Sequence, residues 1–98
     1  MNMQNIMAQA QKMQKDIQKK KEEINQQLFP GKSDWVTVVF NGKKEFVSLN
    51  INYSELTSED KEMLEDMIAI AIKDSMTQID KAFQEKMGSY AGMLDGLM

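Results

Sequence analysis

Apolar positions recur at two different periods along the chain, and each period predicts an element. Over residues 3–28, Met3, Ile6, Ala10, Met13, Ile17 and Ile24 fall at steps of three and four, broken only at Lys20, where one more apolar residue is due. At about 100° per residue these side chains share an arc of roughly 80°, the stripe of an amphipathic helix. Gln, Lys, Glu, Met and Ala fill the rest, all good helix formers, and neither Gly nor Pro occurs before Pro30-Gly31. Helix one is therefore expected within residues 1–29, with about 25 helical residues spanning roughly 38 Å. Pro30-Gly31 is read as its stop.

From Asp34 the period becomes two. Trp35-Val36-Thr37-Val38-Val39-Phe40 is rich in β-branched and aromatic residues, and Asn41-Gly42 follows. That dipeptide predicts a tight type I′ hairpin turn, which needs positive φ at both of its central residues. The hairpin occupies residues 34–52. Its return strand places Val47, Leu49 and Ile51 on one face and Phe46, Ser48 and Asn50 on the other, so the sheet should pack on one side only. Residues 27–29 can add a short third strand, and residues 31–34 read as a loop.

A second helix is expected over residues 57–87. Thr57-Ser58-Glu59-Asp60 offers capping hydroxyls and then carboxylates in the first turn, where the helix dipole favours them. Within it Met63-Leu64, Met67-Ile68, Ile70-Ala71-Ile72, Met76, Ile79 and Ala82-Phe83 cover more than one stripe. A helix apolar on more than one face needs more than one partner surface, and the chain offers it only one hairpin and one other helix. A second copy of the chain is inferred to supply the rest. Residues 88–98 hold three glycines and no clear period, and are expected to be a mobile tail.

Length and composition change this picture mainly by exclusion. Ninety-eight residues, 42% hydrophobic and 28% charged, suit a single folded domain over 1–98. The chain has no Cys, no His and no Arg; all twelve basic residues are Lys. Disulfides, thiolate nucleophiles and the commonest general base and zinc ligand are thereby removed. No enzyme, metal, cofactor or small-molecule substrate is expected. With no long apolar run and no signal-like N-terminus, a cytoplasmic protein away from the membrane is the default.

The net charge of −3 opposes binding to nucleic acid, but its distribution does not. Residues 1–28 carry +2, residues 29–52 carry +1 and residues 53–98 carry −6. Lys12, Lys15 and Lys19 lie together opposite the apolar arc of helix one, a ridge that could follow phosphates. The same ridge also reads as a solvated face, because Lys12–Asp16 and Lys19–Glu23 have the i,i+4 spacing of local ion pairs. Lys20 and Lys21 fall at or inside the arc, where they either snorkel or mark where the helix leaves the core. Lys43 and Lys44 follow the hairpin turn, where they either reach a duplex backbone or keep the strands soluble.

Other features carry less. The acidic run Glu55, Glu59, Asp60, Glu62, Glu65 and Asp66 lacks the spacing of a calcium loop and reads as a dipole-favoured first turn. Seven of the ten methionines fall inside the two helices, which favours packing over a partner surface. Trp35 and Tyr53 could stack on bases, although one Trp at a strand start is more often core.

Taken together, these strings resemble the YbaB/EbfC family of small bacterial nucleoid-associated DNA-binding proteins. The resemblance is carried by Met7-Ala8-Gln9-Ala10-Gln11-Lys12-Met13-Gln14, by Val36-Thr37-Val38-Val39-Phe40-Asn41-Gly42, and by Leu56 with Glu59-Asp60-Lys61-Glu62-Met63-Leu64-Glu65-Asp66-Met67-Ile68. Ala71, Asp74 and Glu85-Lys86-Met87 complete it. It implies an α+β protomer of order α-β-β-β-α with a small antiparallel three-stranded sheet, intertwined as a homodimer whose long helices project around a gap suited to DNA. It also implies a place in the nucleoid, with effects on nucleoid organisation and gene regulation. The chain departs from that pattern in having no Arg and in carrying Lys32-Ser33-Asp34-Trp35 before the central strand. Lys is a point charge, whereas Arg forks onto guanine, so duplex DNA should be held mainly by its phosphates. Lys12, Lys15, Lys19, Lys20, Lys21, Lys43 and Lys44 are the expected contacts. The alternative is a dimeric adaptor whose Met-rich or acidic surface binds a protein, with no direct role on DNA.

Overall fold

The computed structural model describes residues 3–88. Helix α1 runs over Met3–Gln26, strand β1 over Leu28–Ser33, β2 over Val36–Asn41, β3 over Phe46–Ile51 and helix α2 over Lys61–Met87. The strands form one antiparallel sheet in the order β1-β2-β3. This is the expected α-β-β-β-α order, with the third strand longer than the sequence suggests.

Helix α1 ends before Pro30, not at it. Pro30-Gly31 lies inside β1, paired with Val39 and Val38, so residues 31–33 are strand and the connection to β2 is only Asp34-Trp35. Proline is tolerated because β1 is an edge strand. Glycine is required because α2 crosses here: a Cβ on Gly31 would collide with the Ala71 carbonyl and the Ser75 backbone. Asp34 takes φ +45° in the turn, a conformation Asp tolerates better than most residues.

The inward face of the sheet carries Phe29 and Gly31 from β1 and Val36, Val38 and Phe40 from β2. Helix α2 lies across these two strands with Met67, Ala71, Ser75 and Ile79 in a line at four-residue spacing. Val36, Val38, Met67 and Ala71 form one buried cluster; Ile24, Phe29, Ile79 and Met87 form a second, joined by Ile17 and Phe83. Ser75 is fully buried and donates its hydroxyl to the Phe29 carbonyl at 2.7 Å. The sheet therefore packs on one side, as its alternation requires.

Two local expectations are corrected. At Asn41-Gly42 neither residue has positive φ; Lys44 does, at +65°. The Lys44 N–H bonds the Asn41 carbonyl at 3.0 Å and the Asn41 N–H bonds the Glu45 carbonyl at 3.1 Å. This is a three-residue loop with a left-handed third position, not a type I′ turn. The Asn41 side chain holds it by accepting the N–H groups of Lys43 and Glu45. Gly42 serves packing instead, since a Cβ there would strike the Ile24 carbonyl at the end of α1.

The second correction concerns Phe46. A register shift opposite Val39 and Phe40 gives β3 one extra residue, so that Phe46 pairs with Phe40. The two rings meet edge to face at 6.0 Å, which places Phe46 on the inward face and not beside Ser48 and Asn50.

The lead-in to α2 also differs in detail. A single 3-10 turn, Ser58–Asp60, precedes the α-helix. The Asp60 carboxylate reaches back to accept the Thr57 N–H at 2.9 Å and its hydroxyl at 3.2 Å. The acid supplies the acceptor where a hydroxyl was expected. The tail expected to be mobile lies, apart from Gly88, outside the described residues. Among the described residues no helix is long and apolar enough to cross a membrane.

Candidate nucleic-acid interface

Helix α1 is buried at one end only. Ile24 is fully buried and Ile17 half-buried, but residues 3–12 are all exposed, with Met3 at 77%. The helix is antiparallel to the last turns of α2, which meet only its C-terminal half. The molecule is correspondingly elongated, 70 × 20 × 16 Å. The first half of α1 thus stands clear of the described body as an arm.

Lys12, Lys15 and Lys19 occupy the exposed ridge expected of them, where Gln9, Met13 and Asp16 join them around a shallow open hollow. The ion pairs expected to neutralise this ridge are not the ones formed. Asp16 pairs with Lys20 at 3.3 Å and Glu23 pairs with Lys86 of α2 at 2.6 Å. Lys12, Lys15 and Lys19 make no ion pair within 4 Å among the described residues. The Lys86 hydrogen bond, and then its charge, hold the Glu23 carboxyl below its ordinary range, with a smaller contribution from Lys19.

The remaining candidates divide. Lys20 and Lys21 are half-buried. They snorkel, because the stripe continues into the core at Ile24 and the helix does not leave it there. Lys43 and Lys44 are exposed on the loop, but Lys44 is held by Asp80 of α2 at 3.3 Å. Gly42 fixes this loop beside Ile24, about 18 Å along the helix axis from Lys12. The structure thus brings Lys12, Lys15 and Lys19 together and leaves Lys43 and Lys44 as a separate pair. Asp80 and Lys86 were missed in the sequence because their partners lie 36 and 63 positions away, beyond any local pattern.

Charge is polarised in space as well as in sequence. The exposed acids Glu59, Glu62, Glu65 and Asp66 sit at and just before the start of α2, the last three of them about 20–26 Å along that helix from Ile79. A chain of net charge −3 can therefore present a basic arm at one end and an acidic patch at the other. Among the described residues no group of three acids is placed to hold a metal ion.

A second surface is apolar. Helix α2 covers β1 and β2 but not β3, so Val47 and Leu49 remain exposed, with Phe46 62% exposed beside them. Met63 and Ile70 are exposed on the flank of α2. These are among the positions that made α2 apolar on more than one face.

Comparison with known proteins agrees with this architecture. Residues 1–94 match the profile of the family described as the YbaB/EbfC DNA-binding family. A nucleoid-associated protein of Lactococcus lactis subsp. cremoris (strain MG1363) is 47% identical over 92 residues, covering 92% of this chain and 93% of that one. A nucleoid-associated protein of Streptococcus pyogenes serotype M5 (strain Manfredo) is 44% identical over 96 residues, covering 96% and 97%. The crystal structure of an uncharacterized protein from Helicobacter pylori superposes with a TM-score of 0.71 at 26% identity, covering 87% of this chain and 91% of that one.

Proposed function

The chain belongs to the YbaB/EbfC DNA-binding family, and from that premise we propose that it binds duplex DNA as a homodimer in the bacterial nucleoid, chiefly through phosphate contacts. The observation that carries this reading is the arm of α1. Lys12, Lys15 and Lys19 form one exposed ridge that runs from the arm back along the helix, and the i,i+4 carboxylates Asp16 and Glu23 are engaged by Lys20 and Lys86. Each ammonium that meets a phosphate releases counterions, a sequence-independent gain. Because the chain has no Arg, it lacks the guanidinium fork that most often reads guanine in the major groove. Phosphate contacts position a protein on DNA without specifying a sequence, which suits a role in organising the nucleoid and influencing expression broadly.

Dimerisation supplies the second ridge. The exposed apolar surface of Val47, Leu49, Met63 and Ile70 is the face we assign to the partner subunit, since surface of this kind is stabilised by about 25 cal/mol for each Å² withdrawn from water. Lys21 and Lys43 add contacts of lower weight, and Lys20 and Lys44 contribute least because each is held by a carboxylate. Reversal of the ridge charges (Lys12→Glu, Lys15→Glu and Lys19→Glu together) tests the assignment. Binding should be lost while the dimer, followed by light scattering, persists. Unchanged affinity would remove these lysines from the interface. Stoichiometric recovery of one protein after nuclease treatment would favour the adaptor reading.

A further inference from the structure

The two edges of the sheet are built differently. The Asn52 N–H bonds the Trp35 carbonyl at 2.7 Å. With the registers of both ladders, this fixes which backbone groups point outward, because they alternate along a strand. On β1 they belong to Leu28, Pro30 and Lys32. On the regular part of β3 they belong to Leu49 and Ile51.

The β1 edge is closed. Pro30 has no N–H to offer, its carbonyl accepts the Gln78 side chain at 2.8 Å, and the Lys32 N–H is donated to the Asp74 carboxylate at 3.0 Å. Gln78 also donates to Asp74 at 3.2 Å, so α2 seals this edge. Proline, lysine and a covering helix are recurrent guards against the addition of another strand. The β3 edge has none of them. Phe46-Val47-Ser48-Leu49-Asn50-Ile51 carries no charge and no proline, and residues 46–50 are exposed. Its extra residue lies at the Phe46 end, leaving Ser48 to Ile51 in regular register.

We propose that β3 pairs antiparallel with β3 of a second copy, about a twofold axis at Leu49, so that two three-stranded sheets become one of six strands. This pairing rests on the homodimer reading and specifies its contact. Two features select the occupant. The strand is self-complementary: Leu49 faces the partner's Leu49, Ser48 faces the partner's Asn50, and no charge meets a like charge. A twofold at Leu49 overlaps residues 47–51, whereas one at Asn50 overlaps only 49–51. The apolar surface is also wider than one strand, since Met63 and Ile70 are exposed on the flank of α2; a lone peptide strand would leave them wet.

The axis stands perpendicular to the joined sheet, which puts both helical layers on one face. Helix α1 belongs to that layer, as Ile17 and Ile24 pack with Phe29 and Phe40. The two lysine ridges therefore lie on the same side of the dimer. The use of that arrangement for DNA rests on the DNA-binding reading; the strand pairing does not.

The Leu49 N–H is a group that the pairing must bond. In the full-length protein without DNA, its hydrogen exchange should slow about tenfold or more as concentration is raised through the monomer–dimer range followed by light scattering. A dimer whose Leu49 amide exchanges as fast as the monomer's would overturn the pairing and leave the homodimer reading intact. A monomer at every concentration would overturn both. The chain has no cysteine, so introduced thiols report the register without background. Ser48→Cys with Asn50→Cys in one chain should give a covalent dimer under mild oxidation, because such a non-hydrogen-bonded pair brings Cα atoms to about 4.5 Å. Either substitution alone should not, because like positions then stand on the diagonal, about 7–8 Å apart. A covalent dimer from either single variant, or none from the double variant, would overturn the proposal.

Discussion

Glu23, near the end of α1, and Lys86, in the last turn of α2, are joined by a 2.6 Å ion pair that ties the packed half of α1 to α2. The Lys86 hydrogen bond and charge lower the Glu23 pKa in the folded state. A depressed carboxyl stabilises the fold above its unfolded pKa and loses that contribution as pH falls through the folded value. Glu23→Gln should therefore lower the melting temperature slightly at pH 7, the pair being substantially exposed. The difference from the unsubstituted protein should close as pH falls below the ordinary value of 4.5. Thermal melts at several pH values check this, and a difference independent of pH would contradict it.

Gly42→Ala should destabilise the fold by about 1–3 kcal/mol, the range for forced overpacking, because the added methyl meets the Ile24 carbonyl. Gly31→Ala should do the same against Ala71 and Ser75. Gly88→Ala meets no atoms and should cost only backbone strain at its positive φ. Urea denaturation of the three variants ranks them.

Ser75→Ala should cost about 1 kcal/mol or somewhat more. It removes the one hydroxyl that satisfies the Phe29 carbonyl from α2, at a site with no solvent exposure. Ser75→Val should be worse, because Gly31 approaches the same backbone and leaves no room for branching. The comparison is made by equilibrium unfolding.

Lys44 is restrained by Asp80, whereas Lys43 makes no ion pair among the described residues. Lys43→Ala should therefore weaken DNA binding more than Lys44→Ala. Asp80→Asn should strengthen binding modestly, since it frees Lys44 and removes a negative charge near the loop. Titration of a labelled duplex at fixed salt decides the order, which matters because quoted affinities shift strongly with salt.

The helices, the hairpin and the lysine ridge were legible from local periodicity, which is why α1 and β2 lie where the pattern puts them. What escaped depended on contacts between distant parts of the chain. Pro30-Gly31 reads locally as a stop, and only the approach of α2 at Ala71 and Ser75 makes it a strand. Asn41-Gly42 reads as a type I′ turn until Ile24 explains why the glycine is there. Phe46 changes face through one extra residue in β3, and alternation within β3 alone gives no sign of it. The ridge itself was visible at Lys12, Lys15 and Lys19. The engagement of its expected partner Glu23 elsewhere was not, because Lys86 pairs with that carboxylate from across the fold.

The central claim is phosphate-dominated binding by a symmetric pair of lysine ridges. The most direct test is the affinity of the purified dimer for a random duplex of about 40 base pairs across a salt series. Three lysines from each of two ridges should give a slope of log affinity against log salt of about −5, with little change between sequences. An intact dimer that fails to bind at low salt, or whose affinity is insensitive to salt, would contradict the account.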